Sequence, residues 1–228
     1  MEYELHLHEE IMLLALRDRE GTIDLGVNYQ CAIGGAILAE LLMTGRIAVE
    51  QLKKKKMVNV VNKEKLFDPL IDECLEKMKS DKRRATLQTW VSRFAGVKNM
   101  KHRVAKQLCR LDILREDEDR VMLIFKRKIY PELNPAPEKR LIEKLQNAIF
   151  TDTETINPKT MVLISLAKST DLLKIIFDKK ELKNRKERIE MIINGELAGK
   201  ATKEAIQAMQ AAVMVAVFVP TIVAVTGN

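Results

Sequence analysis

Aromatic residues are scarce in this sequence, at 4% of 228 residues, and glycine and proline occur only 9 and 6 times. A core with so few rings must be built mainly from Leu, Ile, Val, Ala and Met. Low glycine and proline contents remove the common helix breakers, and abundant Leu, Lys and Glu favour helices. The sequence shows no repeats and no long linker. It therefore predicts a mainly α protein: one globular multi-helix domain, residues 1–228, with a buried apolar helical core and a small β-hairpin.

The sequence also lacks the motifs of common enzyme classes. It has no P-loop, no GxGxxG and no GxSxG. The segment "HLHEE" carries two histidines, but a zincin needs a second histidine four residues after the first, and Met12 stands at that place after His8. The 3 cysteines include no CxxC pair, which argues against a zinc or redox centre. We therefore expect no catalytic residue, no metal site, no cofactor and no enzymatic activity.

Positive charge is what the sequence has in excess. Lys and Arg number 39 against 32 Asp and Glu, which gives a formal net charge of +7. This balance favours anionic partners such as nucleic acid, anionic lipid or a phosphorylated ligand, without choosing among them. The first ten residues are acidic and contain no apolar stretch, so we expect no secretory signal and a cytoplasmic protein.

The segment 98–110 places much of this charge on one side of a predicted helix. At about 100° per residue, apolar and basic residues fall on opposite faces. The apolar face comprises Val97, Met100, Val104, Leu108 and Leu111, and the basic face comprises Lys98, His102, Arg103, Lys106 and Arg110, with Lys101 at the boundary. The pattern predicts a helix that buries one face and presents a basic surface.

Hydrophobic periodicity and helix-breaking residues predict where the helices and strands of the first half of the chain lie. A buried helix is predicted over "HLHEEIMLLALRDREGT", with Gly21 as its stop signal, and a second from about Asn28 to Thr44. Gly34 and Gly35 inside the second helix allow the close approach of another backbone or of a ligand. Two short strands are predicted on either side of the charged loop Lys53–Lys56.

Similar signals predict the helices that follow in the chain. Asp68 and Pro69 begin a helix, and Trp90 and Phe94 share one helix face, which predicts core packing. The segment 178–195 is predicted to be a charged, solvated helix. The apolar run Ala211–Val225 is shorter than the roughly 20 residues of a membrane span and is interrupted by Pro220. It is predicted to be a buried C-terminal helix, with a tail anchor or a helix that inserts on membrane contact as the alternative.

Two specific hypotheses and one plain one account for the basic helix. In a winged helix, Lys98–Arg110 is the recognition helix and the hairpin Leu111–Phe125 is the wing, although the acidic tip "REDED" would repel DNA. In a peripheral membrane protein, Lys98 and Lys101, one turn apart, hold a phosphorylated head group while nearby basic residues attract anionic lipid. The plain alternative is a solvated face on a protein-interaction scaffold. The residues alone leave the three open.

An ordered set of segments resembles one known family. The segments are "LHLHEEIMLLALRDREGT", "GGAILAELLMTGRI", "RVAKQL" followed by "ILREDEDRVMLIFKRKIYPELNP", "KRLIEKLQNAIF" and "LISLAKSTDLLKIIF". In that order they resemble the Golgi phosphoprotein 3 family over nearly the whole chain. The resemblance implies a mostly helical single domain and peripheral membrane binding through phosphatidylinositol 4-phosphate. In eukaryotic members it also implies retention of Golgi glycosyltransferases through their cytoplasmic tails.

The resemblance also implies a set of site residues. Two basic residues of the family's head-group pocket correspond to Lys98 and Lys101, whereas its arginine falls on Gly34 and its tryptophan near Leu25. Half of the pocket is therefore replaced, which suggests that the chain resembles a divergent or bacterial member of the family. The residues expected as auxiliary membrane contacts are Arg103, Lys106, Lys126 and Arg127, and those expected in the family's self-association hairpin are Ile113, Leu114, Met122 and Leu123.

We therefore expect a peripheral membrane adaptor that binds anionic phospholipid, with phosphatidylinositol 4-phosphate as one head group, and that sorts or retains proteins at membranes. The expected partners are an anionic phospholipid surface, the cytoplasmic tails of membrane proteins and further copies of the chain, with no nucleic acid. The expected location is the cytoplasmic face of a membrane, which is the Golgi membrane in a eukaryote.

Overall fold

A computed structural model of the chain describes residues 4–17, 20–23, 29–52, 55–121 and 125–197. In these segments the helices are α1 (Leu7–Ala15), α2 (Tyr29–Met43), α3 (Pro69–Ser80), α4 (Leu87–Ala95), α5 (Met100–Arg110), α6 (Ala136–Phe150), α7 (Pro158–Ser169), α8 (Leu173–Ile176), α9 (Lys179–Asn184) and α10 (Lys186–Ile193). The strands are β1 (Ile47–Leu52), β2 (Lys55–Val60), β3 (Ala85–Thr86), β4 (Asp117–Val121) and β5 (Phe125–Ile129). The predicted mainly α fold class is confirmed.

Helices α1 and α2 form the centre of the core. Every residue of α1 is buried, as its nearly continuous apolar run predicts. The predicted continuation of this helix towards Gly21 is wrong, because Leu16 is extended and forms an antiparallel bridge with Ile23. The helix begins with the backbone N–H of His6 donating to Glu9 Oε2 at 2.9 Å, which satisfies one of the amide groups left free at a helix N-terminus. The predicted second helix is confirmed as α2, and Gly45, with a φ of 66°, follows its last turn in a conformation that favours glycine.

Gly34 brings α2 close to α4. A Cβ built on Gly34 would lie 2.9 Å from the Val91 carbonyl oxygen and 3.1 Å from the Ala95 amide nitrogen. Only a residue without a side chain permits this approach. The close approach expected of Gly34 is therefore made by another backbone.

The three-stranded antiparallel sheet has the order β1-β2-β3. Its first two strands pair from Ile47 opposite Val60 to Leu52 opposite Lys55, which confirms the two predicted short strands. Val58 faces the core, whereas Val61, just beyond the strand, is exposed. Lys53 and Lys54 lie outside the described residues.

Helices α3 and α4 follow their local sequence signals. Asp68 Oδ1 accepts from the backbone N–H groups of Leu70 at 2.9 Å and Ile71 at 2.7 Å, so the predicted N-cap is confirmed. In α4, Trp90 and Phe94 are buried, and their ring centroids lie 5.7 Å apart. Their predicted role in the core is confirmed.

The predicted hairpin exists, but its register is wrong. The predicted hairpin has the acidic residues at its tip and ends its second strand at Phe125, whereas Asp117, Glu118 and Asp119 belong to β4 and Phe125 begins β5. Pairing sets Glu118 opposite Lys128 and Asp119 opposite Arg127. Opposite charges on facing strands stabilise this register, which apolar periodicity does not reveal.

The last described helices pack onto α7 and α6. The segment predicted to be one solvated helix forms α9 and α10 instead, and α10 buries Ile189 and Ile192. Its Arg188 is also buried because Nε donates to the Ala148 carbonyl at 2.8 Å and an Nη donates to that of Thr153 at 2.8 Å. The run Ala211–Val225 lies outside the described residues. In the part of the chain that is described, no helix combines the length and hydropathy that a membrane span requires.

Candidate functional site

Helix α5 carries the basic surface, but it is shorter than predicted. Asn99 precedes it in the left-handed conformation, with a φ of 57°, and α5 begins only at Met100. Lys98 therefore lies in the turn between α4 and α5, and the expectation that Lys98 and Lys101 occupy successive turns of one helix is wrong. The predicted apolar face is confirmed, because Met100, Val104 and Leu108 are buried.

The basic surface has Lys98 and Lys101 at the N-terminal end of α5. Lys98 is exposed, and Lys101 is partly buried. Neither side chain forms an ion pair with any residue in the described segments. Burial and the nearby charge of Arg127 lower the pKa of Lys101. A positive charge held in this way gains from the arrival of an anion.

The four predicted auxiliary cations are all neutralised by acids. Arg103 lies 2.6 Å from Glu73 of α3, and Lys106 lies 3.8 Å from Glu116. On β5, Lys126 lies 3.3 Å from Glu118, and Arg127 lies 2.7 Å from Asp119. These pairs leave the four side chains with less free charge than the sequence indicates. Their membrane contact stays a prediction.

Contacts between the rings of His102 and Tyr130 hold the hairpin beside α5. The hydroxyl of Tyr130, just after β5, shares a hydrogen bond of 2.9 Å with His102 Nδ1. Burial and the charge of Glu116 raise the pKa of Tyr130 to about 12, so the hydroxyl keeps its proton. Burial and the charges of Lys101 and Lys128 lower the pKa of His102. Together these contacts hold Arg127 near Lys101, an arrangement that the sequence analysis did not predict.

Of the other two predicted head-group residues, the structure describes only Gly34, and Gly34 does not join Lys98 and Lys101 on the surface. Gly34 is buried against α4, where its close backbone contacts leave no opening for a phosphate. Leu25 lies outside the described residues. Tyr29, the nearest aromatic residue in the sequence, begins α2 and is partly buried. A role for Gly34 or Leu25 in head-group binding stays a prediction.

Of the four residues predicted for self-association, the structure describes Ile113 and Leu114. Ile113 and Leu114 precede β4 and lie in the core, at 5% and 3% exposure, and Leu114 forms an isolated antiparallel bridge with Glu132 beyond the end of β5. Such buried side chains offer little surface to a second copy. Met122 and Leu123 lie outside the described residues. Self-association of the chain stays a prediction.

A buried polar cluster joins α1, α3 and α5, and sequence reasoning missed it. His8 Nε2 lies 3.4 Å from Asp68 Oδ2, and the Gln107 side-chain amide donates to the same oxygen. His8, Glu9 and Asp68 offer donor atoms within 4.8 Å of one another, which makes them a group among the described residues able to hold a metal. Both oxygens of Asp68 already accept N–H groups. We therefore interpret the cluster as a link between the three helices.

Comparison with known proteins identifies relatives along most of the chain. A family model described as Golgi phosphoprotein 3 (GPP34) matches residues 7–209. The vacuolar protein sorting-associated protein 74 of Eremothecium gossypii is 26% identical over 216 residues, which cover 79% of this chain and 64% of that protein. The chain thus spans less than two thirds of the length of this curated relative.

Proposed function

Because this chain belongs to the Golgi phosphoprotein 3 family, we propose that it is a non-enzymatic trafficking adaptor that docks on anionic membranes through Lys98 and Lys101. Its ligand is the phosphate of a phospholipid head group, with phosphatidylinositol 4-phosphate among the lipids it accepts. Its partners are the cytoplasmic tails of membrane proteins, which it sorts or retains. The name of the fungal relative, a vacuolar protein sorting-associated protein, supports a sorting role.

One observation carries the lipid part of the proposal. Lys98 and Lys101 have no acidic partner in the described segments, whereas each of the four neighbouring cations Arg103, Lys106, Lys126 and Arg127 has one. Burial and a second cation act against the charge of Lys101, so an anion that bonds to it relieves an existing cost. A phosphate offers several acceptor oxygens, and its bonds to ammonium groups are charge-assisted.

The same geometry supports a loose head-group preference. A specific pocket surrounds its phosphate with donors, whereas buried Gly34 provides no side chain for that purpose. The loss of one charge-assisted contact costs about 1.5–3 kcal/mol. We therefore propose that the site accepts several anionic lipids and that its affinity falls as salt rises.

Removal of the two lysines tests the proposal. The double variant Lys98→Ala with Lys101→Ala should sediment with phosphatidylglycerol vesicles at least tenfold less than the wild type. The matched control, Lys82→Ala with Arg83→Ala, removes two exposed cations from the loop after α3 and should change sedimentation by less than about twofold. Circular dichroism of both variants establishes that they are folded. Equal sedimentation of the Lys98/Lys101 variant and the wild type would remove this site from the account.

A further inference from the structure

A groove lined by α8, α9, α10 and the end of α7 has an apolar floor and a lysine rim. Its volume is about 370 Å³. The floor consists of Leu173, Leu182 and Ile189. Leu182 is partly exposed, whereas Leu173 and Ile189 are almost fully buried, so the methylene stems of the rim lysines supply much of the apolar surface. The rim consists of Lys168, Lys174, Lys179, Lys183 and Lys186. We call this feature the lysine groove, and it shares no residue with the Lys98 and Lys101 site.

The charges of the rim are only partly balanced. Lys168 lies 2.5 Å from Glu190, and Lys174 lies 2.6 Å from Asp171. Lys179, Lys183 and Lys186 are exposed and form no ion pair within the described part of the chain. Three free ammonium groups therefore border an apolar surface.

We propose that the lysine groove binds a free fatty acid, with the acyl chain on the apolar floor and the carboxylate at the rim. A volume of about 370 Å³ falls in the usual range of small-molecule sites, which are mostly apolar with a few polar groups that orient the ligand. The methylene stems of lysine extend the apolar surface, and their ammonium ends meet the carboxylate.

The dimensions favour an acyl chain over a protein segment. A helix with its side chains is about 10–12 Å wide and needs several anchors spaced along one face. Three apolar side chains in a groove of about 370 Å³ do not offer that length of contact. The proposal is independent of membrane docking because the ligand is a dissolved monomer and the site uses different residues.

Titration calorimetry with the full chain tests the proposal, using fatty acids below their critical micelle concentrations. Dodecanoate should bind saturably at one site per chain. Shortening it to decanoate should weaken binding by up to about fourfold per methylene removed, which corresponds to about 0.8 kcal/mol each. Dodecanol, which has the same chain without the charge, should bind at least tenfold more weakly than dodecanoate.

Charge reversal locates the site. Lys183→Glu with Lys186→Glu should weaken dodecanoate binding at least tenfold. The control Lys82→Glu with Arg83→Glu changes the net charge equally at exposed positions outside the groove and should leave the affinity within about twofold.

Three results would overturn the assignment: no saturable binding of dodecanoate, equal affinity for dodecanol, or an equal loss in the control variant. Saturable binding of a labelled acidic peptide in the absence of dodecanoate binding would overturn it too, and would assign the groove to a protein partner.

Discussion

At the scale of single residues, Glu10 combines deep burial with an incomplete set of partners. Its side chain is 5% exposed, and Oε1 lies 3.7 Å from Lys159 Nζ and 3.9 Å from Lys144 Nζ. Its Oε2 has no hydrogen-bond partner in the described structure. Burial raises the pKa of Glu10 to about 7, against the opposing effect of the two lysines. The folded protein therefore holds this proton more tightly than the unfolded chain does.

The raised pKa gives the stability of the protein a defined pH dependence. The cost of the ionised carboxylate is absent below the unfolded pKa of 4.5, grows as pH rises, and is fully present above about 7. Glu10→Gln should therefore raise the free energy of unfolding by up to about 3 kcal/mol near pH 8 and by much less near pH 4.5. Urea denaturation at the two pH values measures this difference, with exposed Glu143→Gln as the control. An effect of the same size at both pH values would contradict the assignment.

Phe67 is unusual in both conformation and exposure. Its φ is 62°, in the left-handed region, and its side chain is 91% exposed. A bulky residue in this conformation is a true outlier and costs about 1–2 kcal/mol. The exposed ring recovers little of that cost through packing.

The backbone strain predicts that Phe67→Gly stabilises the protein. Glycine adopts a positive φ freely but loses about 0.5–1 kcal/mol through its more flexible unfolded chain, so we expect a net gain of about 0.5–1 kcal/mol. Phe67→Ala keeps the strain and should change stability by less than about 0.5 kcal/mol. Thermal unfolding of both variants provides the comparison. A glycine variant no more stable than the alanine variant would show that the backbone at Phe67 is unstrained.

At the scale of elements, the hairpin of β4 and β5 determines how much unpaired positive charge lies beside Lys101. The acids of β4 hold Lys126 and Arg127 in ion pairs across the strands. Exposed pairs of this kind contribute little to stability, about 0–1 kcal/mol each. They nevertheless cancel positive charge beside Lys101.

Neutralising these acids should strengthen membrane binding. Glu118→Gln with Asp119→Asn frees the two β5 cations, each worth about 1 kcal/mol near an anionic surface, so sedimentation with phosphatidylglycerol vesicles should rise at least threefold. The control Glu143→Gln with Glu154→Gln changes the net charge equally at exposed positions elsewhere and should have a smaller effect. Equal gains in the two variants would mean that only total charge matters and that the hairpin has no special position.

The elements also show what local sequence can and cannot predict. The start of α3 is predictable from Asp68 and Pro69, because an N-cap and a proline at the first helical position each act on the backbone of a single turn. The register of the hairpin depends on charge pairs between strands, and the start of α5 depends on a left-handed Asn99; neither feature alters hydrophobic periodicity. The burial of Gly34 and the lysine groove arise from helix packing, which joins residues far apart in the chain.

At the scale of the whole molecule, the net charge of +7 does not mean that every cation is available to an anionic partner. Many cations of the described segments are paired with acids. The two lysines that correspond to the family's head-group pocket, Lys98 and Lys101, have no acidic partner in these segments. The same helix and hairpin order would suit a winged helix, but Glu116, just before β4, lies beside the basic face, pairs with Lys106 and Lys128, and opposes a nucleic-acid backbone. Lys98 and half-buried Lys101, which have no acidic partner in the described segments, are better suited to a compact phosphate group.

Vesicle co-sedimentation of the wild-type protein tests the central claim most directly. The comparison uses neutral phosphatidylcholine vesicles, vesicles with phosphatidylglycerol and vesicles with phosphatidylinositol 4-phosphate, each at low and physiological salt. We predict binding to both kinds of anionic vesicle, no binding to neutral vesicles, and weaker binding as salt rises. No binding to either anionic vesicle at low salt would contradict the account and would leave this family member without the membrane function proposed for it.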